Sequence, residues 1–206
     1  GIASHAGTGM GTVCADYDDD GDTDIFVAND MLGNFLFQND GTGRFEEVGR
    51  MASFAYELNG NEQSSMGIDC ADSDNDRHVD FYVTSYAREL ATLYRNLGNG
   101  GFEDVGLVAG AASSVLPYVT WGTGFADFDN DGDRDVLVNN NGADRLYLND
   151  GKGHCKDVAE LAGITSSGWA NSAAFCDYDR DGRLDLFITH YGSRAFDAHK
   201  QACDYG

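Results

Sequence analysis

The chain is poor in basic residues, which limits the partners it can bind. It has 13 Lys and Arg against 35 Asp and Glu in 206 residues, a formal net charge of −22. Nucleic acids and anionic membranes bind through basic patches, so neither is expected as a partner. No apolar run approaches the roughly 20 residues that a membrane-spanning helix needs, so membrane insertion is not expected either. The N-terminus lacks the charged-then-apolar pattern of a signal peptide.

Common catalytic motifs are missing as well. The sequence contains no H-E-x-x-H and no G-x-S-x-G. Its histidines are scattered and are interpreted as surface residues: His5, His78, His154, His190 and His199. We therefore do not expect an enzyme.

Aspartate at alternate positions is what the chain has in abundance. Four segments, 16–24, 72–80, 127–135 and 177–185, carry Asp at positions one, three, five and nine, and we call them loops 1 to 4. Carboxylates this close repel one another unless a hard cation lies among them. Oxygen ligands at positions one, three, five, seven (through the backbone carbonyl) and nine suit Ca²⁺. The sequence therefore predicts up to four calcium ions with a mechanical role, because each ion turns repulsion within a loop into cross-linking.

The predicted side-chain ligands are the aspartates at positions one, three, five and nine: Asp16, Asp18, Asp20, Asp24, Asp72, Asp74, Asp76, Asp80, Asp127, Asp129, Asp131, Asp135, Asp177, Asp179, Asp181 and Asp185. The predicted backbone-carbonyl ligands at position seven are Asp22, His78, Asp133 and Arg183.

Two details qualify these loops. An EF-hand needs a bidentate Glu at position twelve, and here that position holds Val27, Val83, Val138 and Ile188. The loops are therefore not EF-hands. Arg77 replaces the turn glycine of loop 2, which brings strain if the residue adopts a positive φ and places a cation near the site. We expect loop 2, residues 72–80, to bind calcium most weakly.

The loops also mark a structural repeat, since their first residues are 56, 55 and 50 positions apart. An apolar strand precedes each loop (10–15, 66–71, 121–126, 171–176). A nearly unbroken apolar strand, as expected of a strand covered on both faces, follows it (25–28, 81–84, 136–139, 186–189). The first three repeats continue into hairpins at 36–45, 93–102 and 146–155, whose Asn-Asp-Gly and Gly-x-Gly turns supply positive φ. Four-stranded units at this period predict an all-β fold, the β-propeller.

The predicted blades are approximately 1–50, 51–107, 108–160 and an incomplete 161–206. Because propellers close with about four to eight blades, we expect these three and a half blades to be part of a seven-bladed ring. Further blades would come from the same parent chain or from another chain. The alternative is an open stack, which would leave an apolar face uncovered on its first and last blades.

The cysteines give no metal or redox motif, since there are five and no C-x-x-C pair. Cys14, Cys70 and Cys176 fall on predicted first strands, where we expect them to be buried small hydrophobic residues. Cys203 lies in a polar segment and is the candidate for a disulfide.

The segment 125–138, Phe-Ala-Asp-Phe-Asp-Asn-Asp-Gly-Asp-Arg-Asp-Val-Leu-Val, and the Phe-Glu-Glu-Val and Phe-Glu-Asp-Val segments at 45–48 and 102–105 resemble the FG-GAP/VCBS repeat. Together with Leu-Tyr-x-Asn hairpins, they are similar to ASPIC/UnbV-associated proteins. The resemblance implies an exported calcium-binding β-propeller used for adhesion or for protein or glycan binding. It also implies that the partner of Cys203 lies beyond this chain. Arg77 for Gly and Cys155 for the usual Phe depart from the pattern.

We expect a calcium-stabilised, non-catalytic scaffold that is extracellular, periplasmic or on the cell surface and binds an unidentified protein or glycan. One alternative is a lectin-like propeller, because Trp121 and Trp169 lie at similar distances before their loops. A second is the accessory domain of a secreted polysaccharide-degrading enzyme. A third is a structural subunit that assembles through open blade edges.

Overall fold

The computed structural model describes residues 1–165 and 168–191. Three antiparallel sheets of four consecutive strands, the first extended by a fifth strand, and a two-stranded sheet follow one another along the chain. Sheet I contains β1 (Gly9–Ala15), β2 (Asp24–Leu32), β3 (Phe35–Asn39) and β4 (Phe45–Glu47), and β5 (Gln63–Ser64) pairs with the end of β2. Sheet II contains β6 (Ile68–Ala71), β7 (Asp80–Val83), β8 (Thr92–Asn96) and β9 (Phe102–Asp104).

Sheet III contains β10 (Thr120–Ala126), β11 (Asp135–Asn140), β12 (Arg145–Asn149) and β13 (Cys155–Asp157). Sheet IV contains β14 (Ala170–Cys176) and β15 (Asp185–His190). The helices are short: α1 (Gly106–Ala109) and two 3-10 turns at Ile2–Ser4 and Ser113–Val115. Among the described residues, no helix is long and apolar enough to cross a membrane.

Apart from β5, which pairs with β2, strand order within sheets I to III follows the sequence, and neighbouring strands pair antiparallel. The predicted all-β fold with four-stranded units is confirmed for these sheets. The first strands lie side by side, with β6 against β1 and β10, and β14 against β10. The number of blades in a closed ring, and the blade limits, stay predictions.

Apolar side chains fill the space between successive sheets. Between sheets I and II the core is aromatic, with Phe26 and Phe81 stacked at 3.9 Å between ring centroids and Phe54 packed edge-on against both. A second cluster lies between sheets II and III and includes Tyr82 and Tyr147. A third cluster joins sheet III to sheet IV. Successive sheets thus bury their facing surfaces against each other, as repeat architectures require.

Two predictions about burial are wrong. Cys14 and Cys176 are exposed, although they lie on first strands as predicted; Cys70 is partly buried and packs against the core between sheets I and II. The second strands β7 and β11 are buried throughout, but β15 is not, and its Phe187 is 70% exposed. The physical reason is the same in both cases: burial in this fold comes from the adjacent sheet, and the described residues place none against the outer faces of β1, β14 and β15. Cys203 lies outside the described residues, as does His199.

Candidate metal centres

Each Asp-rich loop connects the first strand of a sheet to the second, in the same register. The last residue of the first strand pairs with the ninth loop residue in all four: Ala15 with Asp24, Ala71 with Asp80, Ala126 with Asp135, and Cys176 with Asp185. The ends of each loop are therefore fixed by a strand pair. This is why one sequence pattern gives one loop conformation four times.

The carboxylates at positions one, three and nine converge in every loop. In each group, one ligand atom from each residue lies within 4.8 Å of the others. The four groups are Asp16, Asp18 and Asp24; Asp72, Asp74 and Asp80; Asp127, Asp129 and Asp135; and Asp177, Asp179 and Asp185. Three carboxylates at this separation form an oxygen-rich site of the kind that hard divalent cations prefer.

The side chain at position five accepts a hydrogen bond from the backbone within its own loop. In loop 1, Oδ1 of Asp20 accepts a hydrogen bond from the backbone N–H of Asp22 at 2.9 Å. The corresponding bonds in the other loops involve Asp76, Asp131 and Asp181 and measure 2.8 to 2.9 Å. These carboxylates shape the turn, and their role as ligands, like that of the position-seven carbonyls, stays a prediction.

Left-handed backbone at two positions lets each loop fold back on itself. Position six has φ of 93°, 100° and 87° at Gly21, Gly132 and Gly182, and 79° at Arg77. Its N–H donates to the position-one carboxylate in each loop, over 2.9 to 3.2 Å. The positive φ considered for Arg77 is therefore present, and a side chain there is strained relative to glycine.

Position four is also left-handed, which was not anticipated. Asp19, Asn75, Asn130 and Arg180 have φ between 59° and 63°. Asp and Asn enter this region more easily than other non-glycine residues. Their presence in three of the four loops was a usable signal.

The ninth-position aspartate is the buried anchor of each loop in sheets I to III. Asp80 has no exposed surface; its Oδ2 accepts from the backbone N–H of Ser73 at 2.9 Å and from the Ser73 hydroxyl. Its Oδ1 accepts from the backbone N–H of Asn96 at 2.8 Å. Asp24 and Asp135 have equivalent backbone donors. In loop 4, Asp185 is exposed and accepts from the backbone N–H of Tyr178.

Burial disfavours the charged form of these carboxylates when no counter-charge is near. Burial raises the pKa of Asp80 and of Asp135 to about 6, with backbone hydrogen bonds opposing the shift. Burial also raises the pKa of Asp24, Asp74 and Asp129, and neighbouring loop carboxylates add to the effect. A bound divalent cation would stabilise the charged form of each group.

Orphaned oxygens give a separate test of whether the residues fit a metal ion. Oδ1 of Asp18 and Oδ1 of Asp127 are buried and have no hydrogen-bond partner among the described residues. Both belong to the converging groups, at position three of loop 1 and position one of loop 3. A buried carboxylate oxygen without a donor is costly, and a cation within the group would satisfy it. The donor set, hard and entirely oxygen, fits Ca²⁺.

Neighbouring loops also touch at the surface. His78, at position seven of loop 2, has Nδ1 3.0 Å from Oδ2 of Asp19 at position four of loop 1. Asn75, at position four of loop 2, donates to Oδ1 of Asp133 at position seven of loop 3, at 2.7 Å. Loops 1 to 3 are therefore linked by these contacts into one acidic row along the edge of the stacked sheets.

Comparison with known proteins matches this repeat. The family model described as FG-GAP-like repeat matches residues 16–83, 72–138 and 127–188. Each match begins at one Asp-rich loop and ends in the strand that follows the next Asp-rich loop. Cartilage acidic protein 1 of Xenopus tropicalis is 29% identical over 184 residues, covering 84% of this chain and 27% of that protein. The Mus musculus protein of the same name is 28% identical over 185 residues, with the same coverage. The chain thus spans about a quarter of the length of these relatives.

Two solved structures are similar in fold. The crystal structure of BBS1N in complex with ARL6DN aligns with a TM-score of 0.50 at 13% identity, over 84% of this chain and 49% of that chain. An Agrocybe aegerita lectin that recognises non-reducing terminal N-acetylglucosamine aligns with a TM-score of 0.49 at 20% identity, over 85% of this chain and 45% of that chain.

Proposed function

Because the chain belongs to the FG-GAP-like repeat family, we propose that it is a calcium-stabilised, non-catalytic binding scaffold forming part of a β-propeller. The observation that carries the proposal is the convergence of three carboxylates in each of four loops with one register. Calcium in these loops would hold the first and second strands of each sheet together. The metal role is thus structural, and the exposed loops remain free to bind a partner.

The charge distribution supports a structural role for the metal. In its absence each loop holds four to six carboxylates, several of them half-buried, and their repulsion opposes closure of the turn. An ion that binds only the folded loop stabilises the fold by mass action, by about 2.7 kcal/mol for each site when free calcium is 100 times the Kd. Four such sites make the stability of the domain strongly dependent on calcium.

An extracellular location agrees with calcium use, since hard-cation sites of modest affinity fill at the millimolar concentrations found outside cells. The relatives are named cartilage acidic protein 1, after a tissue that is mostly matrix, and this chain is itself strongly acidic. We propose export to the extracellular space, the periplasm or the cell surface. The Leu-Tyr-x-Asn hairpins support membership of the ASPIC/UnbV-associated type.

The test is calorimetric unfolding in 5 mM Ca²⁺ and in EDTA, compared with magnesium at the same concentration. We expect a melting temperature at least 10 °C lower in EDTA, and little protection by magnesium because Mg²⁺ demands near-ideal octahedral geometry. Equal melting temperatures in calcium and EDTA would remove the structural-calcium proposal.

A glycan-binding alternative has one specific observation in its favour. The ring centroids of Trp121 and Trp169 are 5.7 Å apart, and those of Trp169 and Tyr191 are 5.6 Å apart in an edge-to-face arrangement. Aromatic groups of this kind stack on sugar rings. A glycan array with the native chain and Trp121→Ala separates the functions: a hit lost in the variant favours a lectin, and an array without hits favours a protein-binding scaffold.

A further inference from the structure

Two buried asparagines, Asn96 and Asn149, each contact two metal loops. Both end the third strand of a sheet, β8 and β12, and both are at most 6% exposed. The backbone N–H of Asn96 donates to Oδ1 of Asp80 in loop 2, while its Nδ2 donates to the carbonyl of Tyr17 in loop 1, at 2.7 Å. Asn96 therefore belongs to the site of its own sheet and reaches into the site of the preceding one.

Asn149 repeats this arrangement one sheet further on. Its backbone N–H donates to Oδ1 of Asp135 in loop 3 at 3.0 Å. Its Nδ2 donates to the carbonyl of Ser73 in loop 2 at 2.5 Å. The contact is thus a property of the repeat and not of one junction.

The contacts join into one path. The backbones of Tyr17 and Ser73 each make two of these bonds: the carbonyl accepts from the asparagine amide, and the N–H of the same residue donates to the ninth aspartate of its own loop, at 3.2 and 2.9 Å. The path therefore runs from Asp24 through Tyr17 and Asn96 to Asp80, and onward through Ser73 and Asn149 to Asp135. All of its members are at most 6% exposed, so water competes little for its hydrogen bonds.

We propose, on the basis of the calcium sites proposed above, that Asn96 and Asn149 are positioning residues that couple calcium binding between neighbouring sheets. Calcium in loop 2 fixes Asp80, which orders the Asn96 backbone. The amide of Asn96 then holds the Tyr17 carbonyl, and the backbone N–H of the same residue holds the carboxylate of Asp24. The ordering of one loop is thereby partly complete before its own ion binds, which is the origin of positive cooperativity.

Asn39 provides a matched control within the same chain. It occupies the equivalent position at the end of β3, and its backbone N–H donates to Oδ1 of Asp24 at 2.8 Å. Its amide donates to the carbonyl of Thr23 in its own loop, and the described residues give it no bond to another loop. Asn39 thus keeps the local role without the cross-sheet role.

The surface contact between loops 1 and 2 is a weaker route for coupling. His78 and Asp19 have side chains that are 30% and 60% exposed. Exposed ion pairs contribute little and are screened by salt. Calcium binding is therefore measured in 0.15 M salt, which screens the exposed pair and leaves the buried hydrogen bonds as the main route of coupling.

The experiment measures calcium binding to loop 1 by following the amide resonance of Gly21, whose N–H donates to Asp16. Asp74→Asn removes a predicted ligand of loop 2 without touching the path. In the native background and in Asn39→Ala, we expect this loss of site 2 to weaken calcium binding at loop 1 about three- to tenfold, the size of one buried hydrogen bond. In Asn96→Ala, Asp74→Asn should have no further effect.

Equal coupling in all three backgrounds, or no coupling in any, would overturn the inference. If the Gly21 resonance does not respond to calcium in the native chain, the proposed function fails instead, so the two failures are distinguishable. Should Asn96→Ala lose the dispersed spectrum of a folded chain, Asn149→Ala tests the second junction. In that experiment the backbone amide resonance of Arg77, whose N–H donates to Asp72, reports calcium binding to loop 2. Asp129→Asn removes a predicted ligand of loop 3.

Discussion

The aspartate at position nine has a structural role that is separable from metal binding, and Asp80→Asn tests it. Asp80 is fully buried and accepts three hydrogen bonds, from Ser73 N–H, from the Ser73 hydroxyl and from Asn96 N–H. Asparagine has the same size but only one oxygen. Whichever way its amide is oriented, its NH₂ group faces a buried backbone donor that has lost its acceptor.

The magnitude follows from these contacts. Each buried polar group left without a partner costs about 1–3 kcal/mol, and two groups are affected, the backbone N–H and the opposing NH₂. Burial raises the pKa of Asp80 to about 6, which means that the charged carboxylate is itself destabilised by burial. Asparagine carries no charge, so the substitution removes this destabilisation and offsets part of the loss from the unpaired groups. We expect a net loss of about 3 kcal/mol in EDTA, or a melting temperature lower by about 6–12 °C for a chain of this size.

Asp185→Asn is the matched control, because Asp185 occupies the same position in loop 4 but is exposed and, within the part of the chain that the structure describes, accepts one backbone hydrogen bond, from Tyr178. We expect it to change stability in EDTA by less than about 1 kcal/mol. Both variants are unfolded thermally, with circular dichroism as the readout, in EDTA and again in calcium. If the two variants melt alike in EDTA, the anchoring role of the buried aspartate is refuted.

Three further predictions concern strain, packing and thiol reactivity. Arg77→Gly removes a side chain from a residue with φ of 79°, so it should stabilise the fold by about 0.5–1 kcal/mol and tighten calcium binding at loop 2; a lower melting temperature would contradict this. Phe54→Ala should cost about 3–5 kcal/mol in chemical denaturation, because this fully buried ring packs on four others, whereas Phe187→Ala, at a ring 70% exposed, should cost under about 1 kcal/mol. Burial raises the pKa of the Cys155 thiol to about 12, so at pH 8 iodoacetamide should modify exposed Cys14 well before Cys155, as peptide mapping would show; similar rates would mean that Cys155 is accessible.

The repeat was readable from the sequence because its signals are local. Loop ligands, turn glycines and the following apolar strand lie within about a dozen residues, and the hairpin turns carry their own glycines. The register was not stated in advance, yet it follows from the loop, since a nine-residue loop that starts after Ala15 and ends at Asp24 closes on that pair. The all-β fold with four-stranded sheets could therefore be predicted.

The cross-sheet contacts could not be predicted in this way. Asn96 lies 79 residues from Tyr17, and the Asn of a hairpin turn already has a sufficient local explanation. Only the packing of two sheets shows that its amide has a second task. The predicted burial of Cys14 and Cys176 was wrong for a related reason. A strand pattern specifies which residues share a face of the sheet, whereas exposure depends on whether another sheet covers that face.

The most direct test of the account is calcium-specific anomalous diffraction from crystals of this chain grown in calcium. The account predicts difference peaks among the carboxylates of positions one, three and nine in loops 1, 3 and 4, with a weaker peak in loop 2 that appears last as calcium is raised. Crystals in millimolar calcium with no peak in any loop would contradict the central claim, and a peak in loop 2 before the others would contradict the predicted order.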